Sequence, residues 1–340
     1  MAQSSITSSG SPITVLSYNV CWGCMAANET SENDITAQPL AKRCKGKKAE
    51  TCTHVCLNNV VSNINNAGDI DLLGLQEATG WHEIYEKMRK PHLGFVHHNT
   101  ETGFGSVQFA TFYNSRKFKL LAFKVGDLVA GEGRPYHILF LEKLDTHSKF
   151  IVINIHSSHH KKYDDDISAA LSNRLELCVD CRCADNKQWI NTEKLAATDL
   201  SEMFREEFHI IFMGDTNDHG KSNLWKGFHP FTHPALVKYK VQATKMPPKT
   251  CCLISRYGPY SHYGDYILIS KNLEYLVENI IPEYARNDAS NPASDHLPVL
   301  SVIQEKQIKT GSRRITKSQS QKKLFRKHKR SVATKRIARK

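Results

Sequence analysis

The sequence predicts an α/β fold, because apolar runs of strand length alternate with helical stretches along 340 residues. The clearest run, Phe208-His-Ile-Ile-Phe212, is apolar throughout and reads as a buried strand. Gly214 ends that run, and Asp215 and Asn217 follow at the strand's carboxyl end. Ligands of α/β sheets gather at such ends, so this stretch is the first candidate for a functional site.

The remaining elements follow from composition and periodicity. A hydrophobic content of 40% and a charged content of 24% are ordinary for one large α/β domain or two small ones. Successive strands between residues 94 and 156 predict antiparallel pairs. Residues 23–52 have no clear period and predict a long surface loop. Predicted strands cover residues 13–19, 70–77, 94–97, 106–113, 118–125, 136–144, 150–156, 208–212, 263–270 and 294–303, and predicted helices cover 58–66, 81–90 and two pieces of 164–208.

The positive charge is concentrated at the carboxyl end. Of the net +12, residues 306–340 carry 15 Lys and Arg and no acidic residue, which leaves 31 basic and 34 acidic residues elsewhere. Such a segment lacks the apolar content to order itself, so we expect a disordered basic tail. The tail fits nucleic acid best as a partner; an anionic lipid surface and a solvated tail without a partner are the alternatives.

Residues 1–12 are small and polar, and we expect them to be flexible. They lack the basic start and apolar segment of a secretory signal, and no apolar run approaches the ~18 residues of a membrane span. We therefore expect a nuclear or cytoplasmic monomer. For the ten cysteines, this location favours free thiols over disulfides, with a zinc site as the alternative.

Polar residues stand at the ends of six predicted strands. Each alone has an ordinary structural explanation, such as a cap, a turn or a surface charge. Together they describe a hard-cation site with a base and an imidazole. Oxygen ligands suit Mg²⁺ or Mn²⁺ rather than zinc. The residues are Asn19, Glu77, His156, Asp215 with Asn217, Asp265, and Asp295 with His296.

The order of these residues resembles the endonuclease/exonuclease/phosphatase superfamily, which includes deoxyribonuclease I. The matching pieces span residues 13–303. The resemblance implies a four-layer α/β sandwich, with two mixed sheets face to face and helices outside, over residues 13–305. A Cys-bearing stretch, 23–56, looks like an insertion. The pieces are Ser17-Tyr-Asn19, Leu75-Gln-Glu77, Asn154-Ile-His156, Gly214-Asp-Thr-Asn217, Gly264-Asp-Tyr-Ile267 and Ser294-Asp-His-Leu-Pro298.

The resemblance also implies a role for each matching residue. Glu77 is the expected metal ligand, with Asn19 and Asp295 beside it, and Asp215 orients or deprotonates the attacking water. His296, held by Asp265, is the expected phosphate-binding imidazole, and His156 is expected to stabilise the transition state or to assist the leaving group. The expected phosphate-binding residues are Asn19, Asn217 and Arg134.

These roles predict a phosphoester hydrolase that depends on Mg²⁺ or Mn²⁺ and acts by in-line attack of water. The basic tail favours a nuclease or another nucleic-acid phosphodiesterase. An inositol-phosphate or phospholipid phosphatase fits the same residues. A nucleic-acid-binding protein without catalysis fits the tail but leaves the catalytic positions without a use.

Overall fold

The structure, a computed structural model, describes residues 10–21, 49–102, 105–128, 134–157, 167–168, 171, 206–218, 223–251, 262–285 and 293–306. The described residues up to Lys306 belong to one compact unit. Most of the predicted flexible start, of the 23–56 insertion and of the 164–208 helical stretch lies outside the described residues, as does the tail beyond Lys306. The predicted domain boundaries therefore stay predictions.

Twelve strands and two α-helices make up the described body. The helices are α1 (Ala49–Asn66) and α2 (Trp81–Met88). The strands are β1 (Ile13–Asn19), β2 (Leu72–Gln76), β3 (Leu93–Thr102), β4 (Gly105–Asn114), β5 (Phe118–Asp127), β6 (Pro135–Lys143), β7 (Lys149–His156), β8 (Phe208–Asp215), β9 (Val241–Gln242), β10 (Asp265–Ser270), β11 (Leu273–Ile280) and β12 (Val299–Glu305).

The strands form two six-stranded sheets, and both sheets are mixed. The first sheet has the order β11-β12-β1-β2-β4-β3, and the second has the order β5-β6-β7-β8-β10-β9. Within the first sheet only β1 and β2 run parallel, with Asn19 opposite Gln76. Within the second only β7 and β8 run parallel, with His156 opposite Asp215. Each sheet thus presents the carboxyl ends of two adjacent parallel strands.

One apolar core joins the two sheets face to face. It contains Ile13 and Val15 of β1 in the first sheet and Ile211 and Met213 of β8 in the second, all fully buried. Within each pair the residues are two apart along the strand, so the residue between them faces the other side of its sheet. The predicted sandwich of two mixed sheets is confirmed.

The outer faces of the two sheets are covered differently. Helices α1 and α2 pack on the first sheet through residues such as Val60 and Ile84. In the described part of the chain, the second sheet is covered by the helical residues Ile167 and Leu171, by the short 3₁₀ helix Leu224–Lys226 and by irregular segments that contribute Phe231 and Leu236. The helical layers of the predicted four-layer sandwich are therefore thin. Among the described residues, no helix is long and apolar enough to cross a membrane.

Several predicted elements need correction. Helix α1 begins at Ala49 rather than at residue 58, so the end of the predicted loop is helical. Strands β9 and β11 were not predicted, and β12 begins at Val299 rather than at residue 294. The predicted antiparallel pairs are confirmed for β3 with β4 and for β5 with β6 and β6 with β7. The pairing fails between β4 and β5, because the chain crosses to the second sheet there.

The cysteines meet the expectation of free thiols only in part. Cys21 is a free, buried thiol, whereas Cys56 and Cys251 are disulfide-bonded. Cys56 lies on α1 and is fully buried, and Cys251 lies in an isolated β-bridge with His262. The expectation rested on the predicted location, which does not determine the pairing of individual cysteines.

Candidate active site

The candidate site lies where the carboxyl ends of the parallel strands from both sheets meet. Strand β1 ends at Asn19, and Glu77 directly follows β2. Strands β7 and β8 end at His156 and Asp215. Apolar residues anchor each strand in the core, and the last residues carry the polar groups. Side chains that are far apart in sequence are thereby brought together.

Asp215 occupies the centre of this group, and its side chain is almost completely buried. Its Oδ1 accepts a hydrogen bond from the backbone N–H of Asn217 at 2.9 Å, and its Oδ2 accepts one from Asn19 Nδ2 at 3.0 Å. The Nε2 atoms of His156 and His296 each lie 3.7 Å from the same Oδ2. The carboxylate therefore accepts two hydrogen bonds and lies close to two imidazole rings.

These surroundings keep Asp215 ionised. Burial alone would raise its pKa, but the charges of His296 and His156 and the hydrogen bonds from Asn217 and Asn19 lower the pKa to about 2. The carboxyl group is thus an anion at neutral pH.

His296 belongs to a chain of hydrogen bonds that ends at Thr250. The Nδ1 atom of His296 lies 2.8 Å from Asp265 Oδ2, which also accepts a 2.6 Å hydrogen bond from the Thr250 hydroxyl. Burial disfavours the histidine cation, but the carboxylates of Asp265, Asp215 and Asp295 raise the pKa of His296 well above its usual value. Burial raises the pKa of Asp265. The arrangement fixes the ring of His296 and favours its charged form.

Two glycines make room for this packing. Gly214 has φ 137°, and a Cβ there would overlap the carbonyl oxygen of Ile155 on the neighbouring strand β7. At Gly264 a Cβ would lie 3.2 Å from Asp215 Oδ1 and 3.8 Å from His296 Cε1. The backbone approaches the site closely at both positions, which is why the sequence has glycine there.

On the other side of Asp215, Glu77 and His156 form a second polar group. Glu77 Oε1 accepts a 3.2 Å hydrogen bond from Asn19 Nδ2 and lies 3.5 Å from His156 Nε2. Arg134 places Nη1 2.8 Å from the same His156 nitrogen. Since a guanidinium only donates, His156 Nε2 is the acceptor in that contact. Asn217, in turn, donates from Nδ2 to the carbonyl oxygen of Ser157 at 2.7 Å.

The donor set fits a hard divalent cation through its carboxylates. Among the described residues, candidate ligand atoms of Asp215, Asp265 and His296 lie within 4.8 Å of one another. Asp265 and His296 are hydrogen-bonded to each other, so carboxylate oxygens of Asp215 and Glu77 are the better ligands.

The predicted ligand Asn19 presents a donor rather than an oxygen. Its Oδ1 accepts the backbone N–H of Cys21 at 3.0 Å, and its Nδ2 faces both carboxylates. In this arrangement Asn19 holds the two acidic groups in place. The predicted ligand Asp295 is half-buried beside His296, with Oδ1 3.5 Å from the Ser294 hydroxyl.

The structure thus brings all the predicted site residues to one region, and it adds others that the sequence did not single out. Thr250 belongs to the site only through its hydrogen bond to Asp265. Ser294 donates from its hydroxyl to the carbonyl oxygen of Asn19, which ties the Asp295–His296 loop to β1. No pattern in the sequence marks Thr250, whereas Ser294 lies inside a piece already singled out.

Comparisons with known proteins give a fold. No protein-family model matches the chain. An uncharacterized protein of Acanthamoeba polyphaga mimivirus is 26% identical to this chain over 301 residues. The match covers 85% of this chain and 50% of that relative, so this chain spans about half of the relative's length. The catalytic domain of human nocturnin with a bound sulfate is 15% identical, with a TM-score of 0.54 over 87% of this chain and 95% of its own. The chain has the endonuclease/exonuclease/phosphatase fold.

Further solved structures share this fold. An endonuclease/exonuclease/phosphatase from Bacteroides vulgatus is 13% identical, with a TM-score of 0.56 over 87% of this chain and 100% of its own. ANGEL2, a 2',3'-cyclic phosphatase solved with adenosine-2',3'-vanadate, is 16% identical, with a TM-score of 0.54 over 87% and 96%. The predicted resemblance is confirmed at the level of the fold.

Proposed function

We propose that the protein is a divalent-metal-dependent phosphoester hydrolase that cleaves nucleic-acid phosphodiesters by in-line attack of water. The observation that carries this proposal is the meeting of Asp215 with Asn19, His156 and His296, each within 3.7 Å of one carboxylate oxygen. A buried anion flanked by two imidazoles and an amide suits a water that must attack a negatively charged phosphorus.

Asp215 acts on the attacking water. A general base works best when its pKa is near the operating pH, and the pKa of Asp215 is about 2. The main task of Asp215 is therefore to orient the water for attack on phosphorus. Asn217 supports this role, because its backbone N–H holds Asp215 Oδ1.

The two histidines act on the phosphate. His296, whose cation is favoured by Asp265, donates from Nε2 to a phosphate oxygen as negative charge grows there. His156 and Arg134 approach from the other side of Asp215, and Arg134 supplies a permanent positive charge to the substrate. The two groups thus bracket the reacting phosphorus.

Glu77 and Asp215 would hold the divalent cation, Mg²⁺ or Mn²⁺, with Asp295 beside them and with Asn19 fixing both carboxylates. A cation bound there would neutralise charge on the phosphate and on the leaving oxygen. Carboxylate oxygens rather than thiols or a histidine cluster make this donor set unsuitable for zinc.

The choice of nucleic acid as substrate rests on the basic tail, residues 306–340, with 15 Lys and Arg and no acidic residue. A polyanion is attracted to such a segment in a salt-dependent way. The tail would serve an anionic lipid surface equally by charge alone. The substrate experiment must therefore include phospholipid headgroups and inositol phosphates.

The purified full-length chain, incubated with Mg²⁺ or Mn²⁺, tests the proposal against a panel of substrates. The panel holds single-stranded DNA, duplex DNA, RNA, a nucleoside 2',3'-cyclic phosphate, inositol phosphates and phospholipid headgroup esters. Cleavage of a nucleic-acid substrate that stops with EDTA and with His296→Ala supports the proposal. Cleavage of the inositol or lipid substrates alone would show that the protein is a phosphoester hydrolase whose substrate is not nucleic acid. Tight nucleic-acid binding without any cleavage contradicts the enzymatic proposal.

A further inference from the structure

The candidate site is divided between the two sheets. Asn19 and Glu77 follow strands of the first sheet, whereas His156 and Asp215 end strands of the second. The distances across the site therefore depend on how one sheet is placed on the other. The apolar core holds the sheets together, but hydrophobic attraction has no direction and does not by itself fix their register.

A line of polar side chains crosses this apolar interface directly beneath the site. Gln76 Nε2 donates to Asn154 Oδ1 at 2.7 Å, and Asn154 Nδ2 donates to Thr111 Oγ1 at 3.0 Å. Thr111 Oγ1 lies 2.8 Å from His137 Nδ1. Gln76 and Thr111 belong to the first sheet and Asn154 and His137 to the second, so the line crosses between the sheets repeatedly.

The two amides donate in the same direction, from Gln76 to Asn154 and from Asn154 to Thr111. The Thr111 hydroxyl and His137 Nδ1 share the third hydrogen bond. Gln76 also donates to Ser17 Oγ at 3.3 Å, within the first sheet. Gln76, Asn154, Thr111 and His137 are 0% exposed. Gln76 Oε1 and His137 Nε2 have no hydrogen-bond partner among the described residues. Because buried polar groups are costly unless they are hydrogen-bonded, the three hydrogen bonds that do form favour one placement of the sheets.

The backbone of β2 leaves room for one side chain of this line. A Cβ at Gly74 would lie 2.9 Å from Asn154 Oδ1, so only glycine leaves room for the Asn154 amide between the sheets. Asn154 stands opposite Met213 in the parallel pair of β7 and β8, two residues before the pair of His156 and Asp215. Side chains two apart on a strand share a face, so Asn154 and His156 point to the same side.

We propose that Gln76 and Asn154 are positioning residues, whose hydrogen bond across the two sheets fixes Glu77 relative to His156 and Asp215. The proposal rests on the proposed function for its kinetic test. Gln76 directly precedes Glu77, and Asn154 is two residues from His156. A displacement of the Gln76 side chain therefore also displaces Glu77, and a displacement of the Asn154 side chain displaces His156.

The decisive variant removes both amides at once. In Gln76→Leu/Asn154→Leu, apolar groups of similar size replace both partners, which can leave stability nearly unchanged. The proposal expects this variant to unfold near the wild-type denaturant concentration. It also expects kcat to fall about 100-fold, since a displacement of about 1 Å can cost that much, while KM changes little.

Asn114→Leu serves as the matched control. Asn114 is also buried, with Nδ2 3.0 Å from Asp71 Oδ1, but it ends β4 near the amino end of β2, away from the site. The control is expected to lose stability and to keep its kcat per folded molecule. A double variant that keeps wild-type kcat, or a control that loses kcat equally, overturns the proposal.

A second readout needs no activity. The readout is a comparison of crystal structures of the wild type and the double variant. The wild type is expected to keep both contacts of Asn19 Nδ2, 3.2 Å to Glu77 and 3.0 Å to Asp215, and the double variant is expected to lose one of them. Retention of both contacts in the double variant overturns the positioning role. A wild type without hydrolytic activity would contradict the proposed function, and the crystallographic comparison would still decide this inference.

Discussion

At the scale of single residues, Asp215 connects the two sheets through its hydrogen bonds and charges. It is held by Asn19 from the first sheet and lies beside His156 from the second and His296 from the loop before β12. A fully buried carboxylate is tolerated only when such partners compensate for lost hydration. The groups that keep it charged are the groups that the proposed chemistry uses.

Thr250 offers a residue-scale prediction. Thr250→Val keeps the shape of the side chain but removes the hydroxyl that donates to Asp265 Oδ2 at 2.6 Å. Asp265 then holds the His296 ring less firmly, and we expect kcat for phosphodiester cleavage to fall about 10-fold with a folded protein. The exposed Thr244→Val is the control and is expected to keep its rate. An unchanged rate in Thr250→Val would show that the hydroxyl is not needed.

Glu305 gives a prediction for stability at the opposite end of the sandwich. The buried Lys143 Nζ lies 3.1 Å from Glu305 Oε1 and 3.2 Å from Asp145. Burial would raise the pKa of Glu305, but hydrogen bonds with His209, Ser148 and Lys143 lower it from 4.5 to about 2. Glu305→Gln should reduce the free energy of unfolding at pH 7 by about 2 kcal/mol, because Lys143 keeps only Asp145 as a charged partner.

The pH dependence of this loss has a definite sign. Because folding lowers the pKa of Glu305, its contribution is complete above pH 4.5 and disappears as the pH falls through about 2. Urea denaturation between pH 7 and pH 2 should show the two proteins converging at acid pH. The exposed Glu283→Gln should match the wild type throughout. A difference that stays constant with pH would contradict this account of the cluster.

At the scale of elements, the packing of the end of β8 against β7 requires a glycine at position 214. Gly214→Ala should destabilise the protein by about 2–4 kcal/mol, because the new Cβ adds overlap with Ile155 of β7 to an unfavourable backbone angle. Gly68→Ala is the matched control, with φ 74° but nothing within 4 Å of the added Cβ. It should cost about 1 kcal/mol from the backbone angle alone. Equal losses in thermal or urea denaturation would show that overlap at β7 is unimportant.

Elements with a strong pattern were predictable from the sequence, and weakly patterned ones were not. Strands β1, β7 and β8 are rich in apolar residues and end on polar ones, and both features predicted them. Strand β11, Leu273–Ile280, has exposed Leu276 and bulges against β12, so its apolar residues do not alternate. Helix α1 begins within a polar, Lys-rich stretch whose composition gives no starting signal.

The site was predictable as a set of strand ends, but its connections were not. The placement of Asn19, Glu77, Asp215 and His296 follows from strand order and from a recognised family pattern. The hydrogen bond between Gln76 and Asn154 joins residues 78 apart in sequence, and nothing in either segment indicates the partner. Such contacts depend on how two sheets pack, which single-sequence periodicity does not encode.

At the scale of the whole molecule, the proposed function assigns catalysis to the described body and attraction of polynucleotides to the tail. The body carries the site, whereas residues 306–340 carry the excess positive charge. A chain stopped after Lys306 should cleave a short phosphodiester at the wild-type rate. Its affinity for long polynucleotides should fall, together with the slope of log affinity against log salt. Filter binding at several salt concentrations checks this, and an unchanged slope would exclude the tail from binding.

The central claim is that the Asp215 cluster hydrolyses phosphodiesters with a divalent cation, and Asp215→Asn tests it most directly. The substitution keeps the size of the side chain and removes its charge. We expect the Mg²⁺-dependent single-turnover rate on the preferred substrate to fall about 1,000-fold, with folding intact. Asp69→Asn, the same change at an exposed position, should keep the wild-type rate. A wild-type rate in Asp215→Asn would contradict the account.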